Sequence, residues 1–141
     1  MEIDLTIPGT PIGKGRPRFT RSGHAYTPEK TAAYEQTVRE CWKQQSGQRF
    51  PEGAAIMACI IAWFPIPKSV SRKKAAAMWG AYHTARPDAD NVAKAVLDAL
   101  NGFAYADDSA VQIACCYKMY TVDEPRLELT LRSAEEARHG A

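Results

Sequence analysis

The chain has 141 residues, the span of one domain, and its 45% apolar and 24% charged content is that of a globular chain, which excludes a disordered, collagen-like or membrane-spanning one. The longest apolar run, Ala54–Phe64, is about half of what a membrane span needs. The net charge of +2 conceals an asymmetry: residues 1–86 hold 13 Lys and Arg against 6 Asp and Glu, and residues 87–141 hold 5 against 10, a division that suits a polyanion ligand beside a carboxylate site for cations.

Taken in chain order, Ile3, Leu5 and Ile7 alternate with Asp4 and Thr6, so residues 2–7 read as a half-buried strand. Pro8, Gly9 and Pro11 end it, and Gly13–Gly23 follows as a polar loop. Thr27-Pro28 reads as a helix start, with Thr27 as cap and Pro28 in the first helical position. That helix should run to about Gln45, with Gly47 as a stop. Ala54–Phe64 is too continuously apolar to be one-sided and is expected to be a central strand buried on both faces. A short helix should begin at Ser71-Arg72-Lys73-Lys74 and reach about Gly80, and Tyr82–Pro87 connects it to a strongly patterned helix over Asp90–Leu100, closed by Asn101-Gly102. Val111–Tyr120 and Arg126–Leu131 read as strands joined by a turn at Asp123-Glu124-Pro125, and the tail from Ser133 as weakly helical or frayed. The order implies a single α/β domain, residues 1–141, with a mixed β-sheet and packed helices.

The opening MEIDLTIPG lacks a basic-then-apolar leader layout, and Cys41, Cys59, Cys115 and Cys116 form no CxxC pair. The expectation is a cytoplasmic protein with reduced thiols and no membrane partner.

Residues 86–108 carry the chemistry. Asp88, Asp90, Asp98, Asp107 and Asp108 fall within 21 positions. At about 100° per residue, Asp90, Lys94, Asp98 and Asn101 form one polar stripe, opposite a face of Val92, Val96, Leu97 and Leu100. Asp88 and Asp90 should point the same way in extended backbone, and the short return Phe103–Ala106 is long enough to bring Asp107-Asp108 back beside the helix start. Carboxylates gathered this closely repel unless a cation sits among them. Mg²⁺ and Mn²⁺ take hard oxygen ligands, so Asp88, Asp90 and Asp108 are the candidate metal ligands. Lys94, one turn after Asp90, is placed to stabilise a phosphate or orient a water. Taken singly, Asp88 or Asp90 also reads as a helix cap, Asp98 with Lys94 as a surface pair, and Asp107-Asp108 as a turn. The basic loop Lys14, Arg16, Arg18, Phe19 and Arg21 reads as a candidate phosphate-backbone contact with Phe19 free to stack on a base, or as a solvated loop. Arg72, Lys73 and Lys74 form a second basic cluster at a helix start, against the helix dipole, a placement that an anionic partner would offset.

The run Arg86-Pro87-Asp88-x-Asp90-Asn91-x-x-Lys94-x-x-x-Asp98-Ala99-Leu100-Asn101-Gly102, followed by Asp107-Asp108, resembles the signature of the RusA family of phage- and prophage-derived Holliday junction resolvases. Gly13-Lys14-x-Arg16-Pro17-Arg18 and Tyr26-Thr27-Pro28 also resemble that family's N-terminal pattern, and the likeness spans roughly residues 5–132. The resemblance implies a homodimeric α/β endonuclease requiring Mg²⁺ or Mn²⁺ that cuts four-way junction DNA by paired nicks, in recombination and repair. It implies metal-site aspartates at Asp88, Asp90 and Asp108, an essential lysine at Lys94, and a structural role for Asp98. The chain departs from the pattern at Ala110, where members often carry Gln. A junction has two symmetry-related cleavage points, which a two-fold dimer matches. Two other readings remain open on the residues alone: a non-catalytic nucleic-acid-binding protein whose aspartates are caps and turns, and a D-x-D nucleotide-sugar transferase.

Overall fold

The computed structural model describes residues 1–134. The N-terminal alternation forms β1 (Glu2–Pro8), with Ile3, Leu5 and Ile7 buried. The polar loop after it is not wholly irregular: β2 (Arg18–Phe19) and β3 (Ala25–Tyr26) pair as a two-stranded ribbon. α1 (Glu29–Gln45) begins one residue later than expected. Pro28 is its extended N-cap and no side chain caps it, so Thr27 does not serve as cap. The Pro28 carbonyl accepts the first helical bond, from the Ala32 N–H. β4 (Ile56–Pro65) is followed by α2 (Arg72–Met78), whose cap is Ser71, its hydroxyl accepting from the Lys74 N–H. α3 (Ala89–Leu100) ends at Asn101, and Gly102 supplies the positive φ of 80° that turns the chain away. β5 (Val111–Thr121) and β6 (Arg126–Ser133) complete the order. Ser133 thus ends a strand, and the rest of the expected frayed tail, beyond Ala134, lies outside the described residues.

The four long strands form one mixed sheet in the order β1-β6-β4-β5. β4 and β5 run parallel, as the long crossover through α2 and α3 requires, and the other pairs are antiparallel. The architecture is therefore the expected α/β one. α1 packs on β1 and on α3, and α3 packs on β5. The core lies between these helices and the sheet: Ile60 and Ala62 of β4 and Leu129 of β6 meet Val38 of α1 and Val92, Val96 and Leu100 of α3.

β4 is not buried equally on both faces. Ile56, Ala58, Ile60, Ala62 and Phe64 are buried under the helices, whereas Met57, Cys59, Ile61 and Trp63 on the other face remain partly accessible. A continuous apolar run does not distinguish two covered faces from one. Beside them on β5, Ile113 and Tyr117 are 46% and 47% exposed. Toward β6 the same face turns polar, where Trp63 donates its indole N–H to Glu128 and lies under the Arg126 guanidinium. All four thiols are free.

Ile60, fully buried at the centre of β4, reports the worth of this core. Ile60→Ala is expected to cost about 2–5 kcal/mol of unfolding free energy, read as a lower denaturation midpoint at unchanged slope.

Candidate active site

The site is built around the N-terminus of α3. Asp88 is the N-cap residue, in extended backbone, and Asp90 stands in the first turn. Because the helix begins at Ala89, Asp90 is already on the helical spiral, and the two aspartates are not two positions of one strand. They consequently face different depressions. Asp88 lines an open cleft of about 1080 Å³ with Arg16, Arg18, Lys30 and Arg86. Asp90 lines a second cleft of about 540 Å³ with Lys94, Asp98 and Asp108. Among the described residues no group of three or more acidic, His or Cys side chains lies together ready to hold one ion; Asp90 and Asp108 share one cleft and Asp88 lines the adjoining one.

Asp108 reaches the second cleft through a fixed return. Buried Tyr105 donates its hydroxyl to the Leu97 carbonyl, and the Phe50 N–H donates to the Ala104 carbonyl at 2.8 Å, which folds residues 103–107 back along α3. Burial holds the Tyr105 hydroxyl protonated well above its usual range, and Asp108, Asp98 and Asp107 reinforce this, since all three carboxylates lie in its field. Asp107 caps the short 3₁₀ turn Asp108–Ala110. It accepts from the hydroxyl and backbone N–H of Ser109, and these bonds hold its carboxyl below the ordinary range.

The five aspartates thus divide. Asp107 is engaged with Ser109, and Asp98 is ion-paired with Lys14 at 3.5 Å. The side chains of Asp88, Asp90 and Asp108 accept no hydrogen bond and form no ion pair among the described residues, and all three are exposed. Lys94 is exposed and likewise unpaired.

The N-terminal strap is close-packed against this site. The Lys14 N–H donates to the Asn91 carbonyl at 2.9 Å, and the Gly15 N–H donates to the buried Thr31 hydroxyl at 3.1 Å. A Cβ on Gly13 would stand 2.9 Å from the Pro87 Cβ, and one on Gly15 would stand 2.8 Å from Thr31 Oγ1, so only glycine allows this approach. Lys14 itself is not available to a ligand in the way expected: its ammonium sits 3.0 Å from Glu35 and 3.5 Å from Asp98. Arg16 and Arg18 are exposed on the wall of the larger cleft, joined by Lys30 and Arg86, which sequence reasoning passed over because each stands alone. Phe19, 70% exposed, and Arg21 belong to the β2–β3 ribbon beyond the cleft lining. Arg72, Lys73 and Lys74 are exposed on α2 and line neither cleft.

The profile of the family described as "Endodeoxyribonuclease RusA" matches residues 8–132. The chain belongs to the RusA family. A relative from Bacillus subtilis (strain 168), which carries only the name "Uncharacterized protein YqaN", is 37% identical over 137 residues, covering 92% of this chain and 95% of that one. Membership of the RusA family implies an endodeoxyribonuclease acting on DNA, and the matched span contains both clefts and the whole aspartate segment.

Family members of this kind use divalent cations, and the residues present fit one. Mg²⁺ keeps several waters and needs only one or two protein carboxylates. Asp90 and Asp108 supply that number of unengaged hard oxygen donors in one cleft.

The Asp107 cap can be read by titration. Its lowered carboxyl stabilises the turn fully above the unfolded-state value, and the contribution fades as pH falls through the lower folded value. NMR titration is expected to place Asp107 below ordinary aspartates, and Ser109→Ala to raise it; an Asp107 unmoved by Ser109→Ala contradicts the cap.

Proposed function

We propose that this protein is a divalent-metal-dependent endonuclease that resolves four-way DNA junctions by paired nicks, acting as a homodimer in recombination and repair. The observation that carries the reading is the division of the aspartates. Asp98 and Asp107 have internal partners, whereas Asp88, Asp90 and Asp108 have none among the described residues, although Asp90 and Asp108 share their cleft with Asp98. Three exposed, unpaired carboxylates around one helix start stabilise nothing within the chain and suit a ligand that brings positive charge.

In this reading Asp90 and Asp108 hold the ion, and Asp88 contributes from the adjoining cleft at the same helix start. When bound, Mg²⁺, or Mn²⁺ in its place, lowers the pKa of water and screens charge developing on a phosphate. Lys94 shares the cleft with Asp90 and Asp108, where its ammonium meets the non-bridging oxygens of the phosphate under attack. Arg16 and Arg18 neutralise neighbouring phosphates along the larger cleft, and their side chains carry no base readout. Phe19 on the ribbon is the aromatic available to stack on a base, and Arg21 and the Arg72-Lys73-Lys74 cluster are peripheral phosphate contacts of the same junction.

The homodimer has a candidate surface in the helix-free face of the sheet. Its β4–β5 half carries Met57, Ile61, Ile113 and Tyr117, and its β6 half carries Arg126, Glu128 and Arg132. An apolar half beside a half bearing both signs of charge lets two copies pair apolar surface with apolar surface and opposite charges across a two-fold axis, which favours a second copy of this chain as the occupant.

The deciding experiment compares a synthetic four-way junction with a matched linear duplex, in Mg²⁺ and in EDTA. Paired nicks in the junction, only with Mg²⁺, are expected; a protein that binds but never cuts refutes the reading. Asp90→Asn and Asp108→Asn should each lower the rate about 10³-fold, equivalent to ~4 kcal/mol of barrier, and leave junction binding intact. Arg16→Ala with Arg18→Ala should instead weaken binding and flatten its log–log salt dependence by about 0.9 per lost phosphate contact. For the dimer, sedimentation should give two copies for the natural chain and one for Ile61→Glu with Tyr117→Glu; a variant that stays dimeric rules out this face.

A further inference from the structure

We propose that Lys118 is a positioning residue for the nuclease reaction, acting through the segment that delivers Asp88 and Asp90. This rests on the nuclease reading above. Lys118 lies on the helix-covered face of β5, between Cys116 and Tyr120 and across from Ala62 of β4. Its neighbours on that face are apolar, and among the described residues it forms no ion pair. Its ammonium donates instead to two carbonyls, Ala85 O at 2.7 Å and Pro87 O at 2.6 Å. The Lys118 carbonyl in turn accepts from the His83 N–H at 2.9 Å, so one residue grips the connection by side chain and backbone together.

The two gripped carbonyls bracket Arg86, and the residue after the second is Asp88, the N-cap of α3. Charge-assisted bonds to neutral acceptors are strong, and a half-buried carbonyl left without a donor is costly, so the segment has one favoured placement. Gly13 also packs closely against the Pro87 ring and allows it little room to shift. Removing the ammonium frees residues 85–87 and with them the first turn of α3. Asp88 and Asp90 then lose their registry with Asp108, which is held independently through Tyr105 and the Asp107 cap. Lys118 itself lines neither cleft and touches no reacting group.

The test uses Lys118→Met, which keeps the length and apolar stem, and Lys118→Arg, which keeps the charge and two donors. In single-turnover cleavage of a four-way junction at saturating protein, Lys118→Met is expected to be slower by about 10- to 100-fold and to need more Mg²⁺ for half-maximal rate. Junction affinity in EDTA should remain within about twofold, and Lys118→Arg should recover most of the rate. In the metal-free protein, amide exchange at Ala89–Val92 should be faster in Lys118→Met, while exchange at Ile60 and Leu129 is unchanged. Lys118→Met cutting at the natural rate with the natural Mg²⁺ dependence overturns the proposal. So does a loss confined to junction affinity, which makes Lys118 a phosphate contact. If the methionine variant does not fold, Lys118→Gln takes its place, with the same loss of rate expected and a natural rate again overturning the proposal. A natural protein that fails to cut the junction refutes the nuclease reading itself; one that cuts, with a Lys118→Met that cuts equally, refutes only the clamp.

Discussion

The first turn of α3 is the constraint on which the site depends. On one side the strap pins it through the Lys14 N–H on the Asn91 carbonyl, at a distance that only the bare glycines 13 and 15 permit. On the other side β5 pins the residues leading into it through Lys118. Between these anchors the helix start exposes Asp88 to one cleft and Asp90 to the other. A nuclease needs its acidic groups fixed relative to one another and to the path of the DNA. Here both come from anchoring one helical turn at two points.

Electrostatics sets a second condition. Asp98, Asp107 and Asp108 all raise the Tyr105 hydroxyl, which places them in one neighbourhood. The fold quiets two of them internally, Asp98 through Lys14 and Asp107 through Ser109, and leaves Asp108 unengaged. Lys14 therefore does two jobs that sequence reading could not assign: its backbone holds the strap, and its ammonium neutralises a carboxylate that would otherwise add to the repulsion in the smaller cleft.

Much of this was legible in the residues. The alternation of Ile3, Leu5 and Ile7, the apolar run of β4 and the polar stripe on α3 each map onto an observed element, because burial on one face leaves a period in the sequence. Asp90, Lys94 and Asp108 line one cleft. Asp88 does not join them, because one residue of helix boundary decides whether Asp88 and Asp90 align or diverge, and boundaries are poorly written in local pattern. The ion partners of Lys14, the cleft positions of Lys30 and Arg86 and the reach of Lys118 were not legible for a related reason: a single basic residue has no period, and its surroundings follow from which distant groups it reaches. The single accessible face of β4 was hidden because a strand with one helical layer can be as continuously apolar as a strand with two.

The strand order has a consequence for how the sheet closes. Among the described residues β1 has β6 as its only neighbour in the sheet, with Glu2 opposite Arg132, although every other element lies between them in the chain. Until β6 is in place, β1 has no strand to pair with, and the sheet stays open between β1 and β4. Closing the sheet therefore depends on a pairing of long sequence separation, and loss of β6 would part β1 from the rest of the sheet.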